Sequence, residues 1–189
     1  MRASRWSAAL VLLLALTVRG AVFTYNETVN SEPVGSGAAQ LQLAKAQAML
    51  AGKSPEHTYV EDYGISYVHV ALGLWDGAPS FQRLMAFQMI VDGLMAAAAW
   101  RIGLLLGGLT TAGVAGALYA LYIPQVILSA TPDYDVWATW GLLTPTLLAL
   151  EARRLAGPGQ RSVVRAGGAA AVAGATVAAA AVVRSSVLY

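Results

Sequence analysis

From Leu84 to Leu128 the chain carries only two charged residues, Asp92 and Arg101, and it places Gly107-Gly108 near the middle of that run. A segment this long and this apolar leaves little with which to coat a water-facing surface. It has the length for two passes of ~20 residues each, with the paired glycines as the turn between them. The rest of the chain agrees. Apolar residues make up 57% of the sequence and charged residues 12%, against about 25% charged in ordinary soluble domains. Mean hydropathy is +0.58. Disorder requires low hydrophobicity and high charge, and is excluded. The fold class expected is an all-α, polytopic membrane protein.

Cysteine is absent, which removes disulfides, iron–sulfur clusters and thiolate zinc sites, and His57 and His69 are the two histidines. The basic residues are mostly arginines, and none are interleaved with aromatics in the manner of a nucleic-acid binder, so nucleic acid is not an expected partner.

About five membrane-spanning helices are expected. The first covers residues 1–23, where Arg2 and Arg5 precede the apolar run Ala8 to Val18. This segment reads either as a cleaved signal peptide or as an uncleaved helix, and Arg19 just ahead of Gly20 and Ala21 favours the helix. The other four fall in a region from 83 to 189: Leu84–Leu106, Leu109–Leu128 with Pro124, Val136–Leu150 with Pro145, and the Ala/Gly-rich Ala166–Val183. The last, with Gly167, Gly168 and Gly174, presents small residues suited to close packing against further membrane helices or a partner subunit.

Residues 24–82 form the one long segment of ordinary polarity. Within 22–82, six acids (Glu27, Glu32, Glu56, Glu61, Asp62, Asp76) outnumber two lysines. An amphipathic helix is expected over 38–51, with Leu41, Ala44, Ala48 and Ala51 on its apolar side, Gln40, Gln42, Lys45 and Gln47 on the other, and Gly52 as its stop. Tyr63–Trp75 is apolar but shorter than a crossing requires, so a re-entrant or interfacial helix is expected there.

Charge sets the orientation, since cytoplasmic loops collect Lys and Arg. With Tyr63–Trp75 not crossing, Arg2, Arg5, Arg101, Arg153, Arg154, Arg161 and Arg165 all fall on the cytoplasmic side. The acidic segment and the short loop Thr131-Pro132-Asp133-Tyr134-Asp135 then share the opposite side. The expected location is a multi-pass protein of the plasma membrane, or of the endoplasmic reticulum in a eukaryote, with its long loop non-cytoplasmic.

Asp92 sits near the middle of its span. An intramembrane acid is a functional candidate by default. It also reads as a helix-packing group bonded to Gln88 one turn earlier. Arg83, at the non-cytoplasmic end of the same span, could grip a lipid phosphate or snorkel to the interface.

The order of these parts resembles the N-terminal half of the membrane-embedded GT-C glycosyltransferases, among them the dolichyl-phosphate-mannose protein mannosyltransferases and the aminoarabinose transferases. Leu43-Ala44-Lys45-Ala46-Gln47-Ala48-Met49-Leu50-Ala51-Gly52 is similar to the family's helix ending in a leucine pair and glycine. Tyr63-Gly64-Ile65-Ser66-Tyr67 looks like its Tyr-Gly-Pro-Leu segment, and Phe81-Gln82-Arg83-Leu84 looks like its Ala-x-Arg-Leu entry to the next span. The resemblance spans roughly residues 7–155. It implies transfer of a sugar from a polyprenyl-phosphate donor to an acceptor at the non-cytoplasmic face. Glu32 would be the catalytic base, with Asp133 and Asp135 as the second set of catalytic acids. Arg83, Glu61, Asp62 and Tyr63 would bind substrate, and a divalent metal ion is a possible cofactor. Two departures qualify it: Ala38-Ala39 stand where the family has an acidic pair, and the chain holds about half the family's number of spans. They leave a second expectation, a non-catalytic accessory subunit of a membrane complex.

Overall fold

The computed structural model describes residues 2–29, 37–53, 63–131, 135–155, 167–168 and 170–175. Among the residues up to 155 that are described, six helices succeed one another: α1 (Arg2–Val29), α2 (Gly37–Leu50), α3 (Tyr63–Gly73), α4 (Phe81–Ala120), α5 (Ile123–Ser129) and α6 (Asp135–Leu155). No strand occurs among the described residues.

Two helices are long and apolar enough to cross a membrane, through Trp6–Asn26 and Phe81–Ala120. That is the part of the five-span expectation the structure carries. The second is not one rod. Gly108 interrupts it with φ 82°, a backbone conformation that L side chains avoid, and the chain reverses there into two arms, 81–107 and 109–120. A Cβ on Gly116 would lie 2.9 Å from the Trp100 Cβ in the opposite arm and 2.8 Å from Val11 Cγ1 in α1. Only hydrogen fits where Val11 and the Trp100 Cβ close on this glycine. The expected turn at Gly107-Gly108 is therefore present, with its reason.

α1 runs antiparallel to the first arm, with Leu16 against Gly93 and Arg19 against Asp92. It runs parallel to the returning arm and α5, from Val11 beside Gly116 to Asn26, which donates to the Ala130 carbonyl at 3.4 Å. α6 lies parallel to the first arm, touching it through Phe87 and Trp137, Met95 and Thr144, and Arg101 and Glu151. One end of the bundle thus holds the C-terminal part of α1 and the starts of α4 and α6. The other holds the Gly107-Gly108 turn, Arg101 and the Arg153-Arg154 pair, where Glu151 accepts from Arg101 at 2.5 Å and from Arg154 at 2.7 Å.

Several boundaries differ from those expected. α1 continues to Val29, so the long polar segment starts inside a helix rather than at residue 24. The expected span Leu109–Leu128 is broken at Leu121-Tyr122. Pro124 has no N–H to give the Ala120 carbonyl, and the helix restarts with Pro124 in its first turn. α3 has 11 residues, about 16 Å at 1.5 Å per residue, short of a crossing. Of the expected last span only 167–168 and 170–175 are described, and they are helical.

The register of α2 differs as well. Its buried residues are Ala39, Gln42, Lys45 and Ala46, while Ala44 is exposed. The expected apolar stripe through Ala44 is thus not the packed side. Ser66 of α3 explains this, because its hydroxyl donates to the Gln42 side-chain and backbone carbonyls. The inward side of α2 therefore combines two alanines with a polar contact to α3.

Candidate functional site

The α1–α4 core buries charged and polar side chains together with apolar ones. α1 buries Val11, Ala15 and Arg19, one turn apart, and exposes Leu10, Leu13, Leu14 and Leu16. The first arm of α4 buries Gln88 and Asp92 and exposes Ile90 and Leu94. Arg19, Gln88 and Asp92 thus face inward beside Leu84, Met85, Met95 and Trp100, while several leucines of α1 and Ile90 and Leu94 of α4 face outward.

At the centre of this core Arg19 and Asp92 are both 0% exposed. Arg19 Nε donates to Asp92 Oδ2 at 2.5 Å. The other carboxylate oxygen accepts from the Tyr119 hydroxyl at 2.5 Å and from Gln125 Nε2 at 3.1 Å. Thr139 of α6 then donates to Gln125 Oε1 at 3.3 Å. Arg19 Nη1 donates to the carbonyls of Ala15 and Ala120, each at 3.2 Å. The second is the carbonyl that Pro124 leaves without its helical partner. The guanidinium also stands over the Tyr119 ring, 5.7 Å from its centroid. One ion pair thereby joins α1, both arms of α4, and α5, and it satisfies the break between the last two. An always-charged guanidinium supplies the counter-charge. Toward the Gly107-Gly108 end this centre is closed by Val11, Ala96, Trp100 and Ala112.

Sequence reasoning singled out Asp92 but not Arg19, Tyr119 or Gln125. The signal was present in part. Each of the first two apolar helices carries a charge at membrane depth, and the signs are opposite, which calls for a pair. Tyr119 and Gln125 leave no comparable mark, because polar uncharged residues are common in such helices.

The residues expected to bind or transform substrate divide three ways. Glu32, Glu61, Asp62 and Asp133 lie outside the described residues. Tyr63 and Asp135 open α3 and α6. Arg83 lies in the first turn of α4, 41% exposed, and binds Asp76 through both terminal guanidinium nitrogens, at 2.6 and 2.5 Å. The hydrogen bond from Arg83 is the main reason the Asp76 carboxyl is held down to about 2. The segments that carry Tyr63, Arg83 and Asp135 meet. Ile65, Leu84 and Trp137, one or two residues along from each, form a single buried apolar cluster, with Val68, Leu72 and Trp140 packed on it.

Beside that cluster the α2–α3 pair contains a buried polar seam of Gln42, Lys45, Ser66 and His69. His69 packs edge-on against Phe81 with ring centroids 5.9 Å apart. Neither ring nitrogen has a hydrogen-bond partner among the described residues. Burial pushes its pKa down to about 4. As to a metal, no cluster of three or more His, Asp or Glu side chains suited to one stands among the described residues. Comparison with protein-family models, with curated proteins and with solved structures gave no match.

Proposed function

We propose that this chain is a membrane glycosyltransferase, or the N-terminal module of one, which takes a sugar from a polyprenyl-phosphate donor at the non-cytoplasmic face. The observation that carries the reading is the Ile65–Leu84–Trp137 cluster. It draws together three separate segments, two bearing an expected substrate-binding residue (Tyr63, Arg83) and one an expected catalytic residue (Asp135), at one end of the bundle. The outward leucines and inward charges of α1 and α4 support a bilayer as the surroundings. The arginines grouped at the opposite end support that end as cytoplasmic.

In this reading Arg83 holds the donor phosphate, and Glu32 takes the proton of the acceptor hydroxyl as its oxygen attacks the anomeric carbon. The bond from that carbon to the phosphate oxygen breaks, and the polyprenyl phosphate leaves with the electron pair. General-base help of this kind is worth about 10²–10⁴-fold. Asp133 and Asp135 orient the substrates. A divalent cation would find its carboxylates among the same three acids and would help neutralise the departing phosphate.

The test is transfer from a polyprenyl-phosphate sugar by the full chain in liposomes. Glu32→Ala and Asp133→Ala/Asp135→Ala should each lower kcat at least a hundredfold, and Arg83→Gln should raise the donor KM. Unchanged transfer in all three would sink the catalytic assignment. Inactivity of the parent chain together with stable co-purification of another membrane protein would favour the accessory-subunit reading.

A further inference from the structure

A guanidinium has five N–H donors arranged as two forks. In Arg83 the terminal fork is taken, with Nη1 donating to Asp76 Oδ1 and Nη2 to Asp76 Oδ2. The second hydrogen of Nη1 goes to the Ala78 carbonyl at 2.9 Å. The Nε–H and the remaining Nη2–H have no partner among the described residues, and these two form the other fork. A phosphate needs one such edge for a bidentate contact.

The partner of Arg83 is itself held in place. The Ala78 N–H donates to Asp76 Oδ1 at 3.1 Å, and Gly77 takes φ +68° to turn the chain back. Ser80 then caps α4, its hydroxyl oxygen accepting from the Arg83 N–H at 3.3 Å. Residues 76–80 form a turn wrapped around the arginine. A long side chain at an interface ordinarily loses rotamer freedom when a ligand binds, at a cost of about 0.5–1.5 kcal/mol. Here the turn has already fixed it.

We propose that Asp76 is a positioning residue that holds Arg83 with its Nε–Nη2 edge open to the phosphate of a lipid-linked donor. The proposal rests on the function given above, which assigns that phosphate to Arg83. Asp76 stays in place when the phosphate binds, because the two anions use different edges.

The experiment titrates the detergent-solubilised full chain with citronellyl phosphate, a short isoprenyl monophosphate, and in parallel with inorganic phosphate, following 31P shifts and the thermal midpoint. Asp76→Asn should weaken citronellyl phosphate binding about two- to tenfold, the rotamer cost restored, with the thermal midpoint unchanged. Asp76→Glu should recover much of the loss, and Arg83→Lys, which has no fork, should not bind bidentately and should be weaker than Asp76→Asn. Equal affinity for inorganic phosphate would identify the source as free phosphate and overturn the lipid-donor assignment. Unchanged binding in Asp76→Asn, with Arg83→Gln weakened, would leave the pair as a corner staple and overturn the positioning role while sparing Arg83. Tighter binding in Asp76→Asn would make Asp76 a competitor and overturn it equally. No effect of Arg83→Gln would remove the phosphate from Arg83, and with it the functional reading on which the proposal stands.

Discussion

Two arginine–aspartate pairs meet α4 nine residues apart, at Arg83 and Asp92, chemically alike and physically opposite. Arg19–Asp92 is sealed, both side chains at 0% exposure, with the carboxylate accepting from three side chains on three different segments. Arg83–Asp76 is 41% exposed on each side, confined to one turn, and leaves one edge of its arginine open. Surroundings, not residue identity, decide what such a pair does. Where water and ligands cannot reach, the charges are worth most to each other and to the backbone groups they satisfy, so the pair serves as a pin. Where solvent screens them the pair adds little to stability, and it is free to act on what arrives.

The comparison is broken most directly at the sealed pair. Asp92→Ala leaves a buried guanidinium without its counter-ion, and Arg19→Ala leaves a buried carboxylate and an orphaned Ala120 carbonyl. Either should destabilise the α1–α4 core by about 3–5 kcal/mol, the usual cost of removing one partner of a buried pair. Arg19→Met combined with Asp92→Leu should recover much of the loss. Resistance to denaturation in mild detergent measures both. Single variants as stable as the parent chain would show that water reaches the centre. The same geometry bears on the N-terminus. Cleavage after Ala21 would withdraw Arg19 from Asp92, so α1 should remain attached in the mature protein, which intact-mass measurement of membrane-extracted material checks.

Between those extremes lies His69, buried in the seam that joins α2 to α3. Its folded pKa, near 4, is below the ordinary 6.5. Above pH 6.5 the ring is neutral in both folded and unfolded states, and it makes no pH-dependent contribution. Between 6.5 and 4 the unfolded state takes up a proton that the folded state refuses, so stability falls as pH falls. Below 4 the loss levels off. At about 1.4 kcal/mol per pH unit the sum is ~3 kcal/mol. Hydrogen exchange in α2 and α3 should accelerate across that window while α1 and the first arm of α4 stay protected. His69→Phe should flatten the response. Equal acceleration in both regions would join the α2–α3 pair and the α1–α4 core into one cooperative unit and erase the distinction.

Gly116 probes the core without touching a charge. Its Cβ would meet Val11 and the Trp100 Cβ below 3.0 Å. Gly116→Ala should therefore cost about 1–3 kcal/mol, the range for overpacking, in the same detergent assay. A neutral result would mean that α1 rides more loosely on the hairpin than the ion pair implies.

These differences also mark what a sequence discloses. The helices, the Gly107-Gly108 reversal and the shortness of α3 were legible, because they depend on local properties: apolar run length, paired glycines and breakers. Asp92 was legible as an anomaly, since a charge at membrane depth is costly wherever it sits. Its partner was not, because Arg19 lies 73 residues earlier and only the packing of α1 on α4 makes them neighbours. The inward side of α2 was misjudged because apolar periodicity cannot see that Ser66 supplies a polar partner for Gln42. For the expected catalytic set, Glu32, Glu61, Asp62 and Asp133 fall outside the described residues. What the fold supplies is the gathering of the segments around Tyr63, Arg83 and Asp135.

The exposed pair should give the smallest stability effect. Asp76→Asn removes an ion pair already screened by water, and α4 keeps its Ser80 cap, so the thermal midpoint should not move within error. High salt should mimic the substitution and leave Arg19–Asp92 intact, since ions within a Debye length screen only charges that solvent reaches. A melt in 0.1 M and in 1 M salt, run on the parent chain, on Asp76→Asn and on Arg19→Met/Asp92→Leu, separates the two sites. A salt response that Asp76→Asn abolishes would place the stabilising electrostatics in the turn. A response present in both and lost in Arg19→Met/Asp92→Leu would place water at the centre of the core. The burial of the two pairs requires neither, and a flat melt in all three is the expected result.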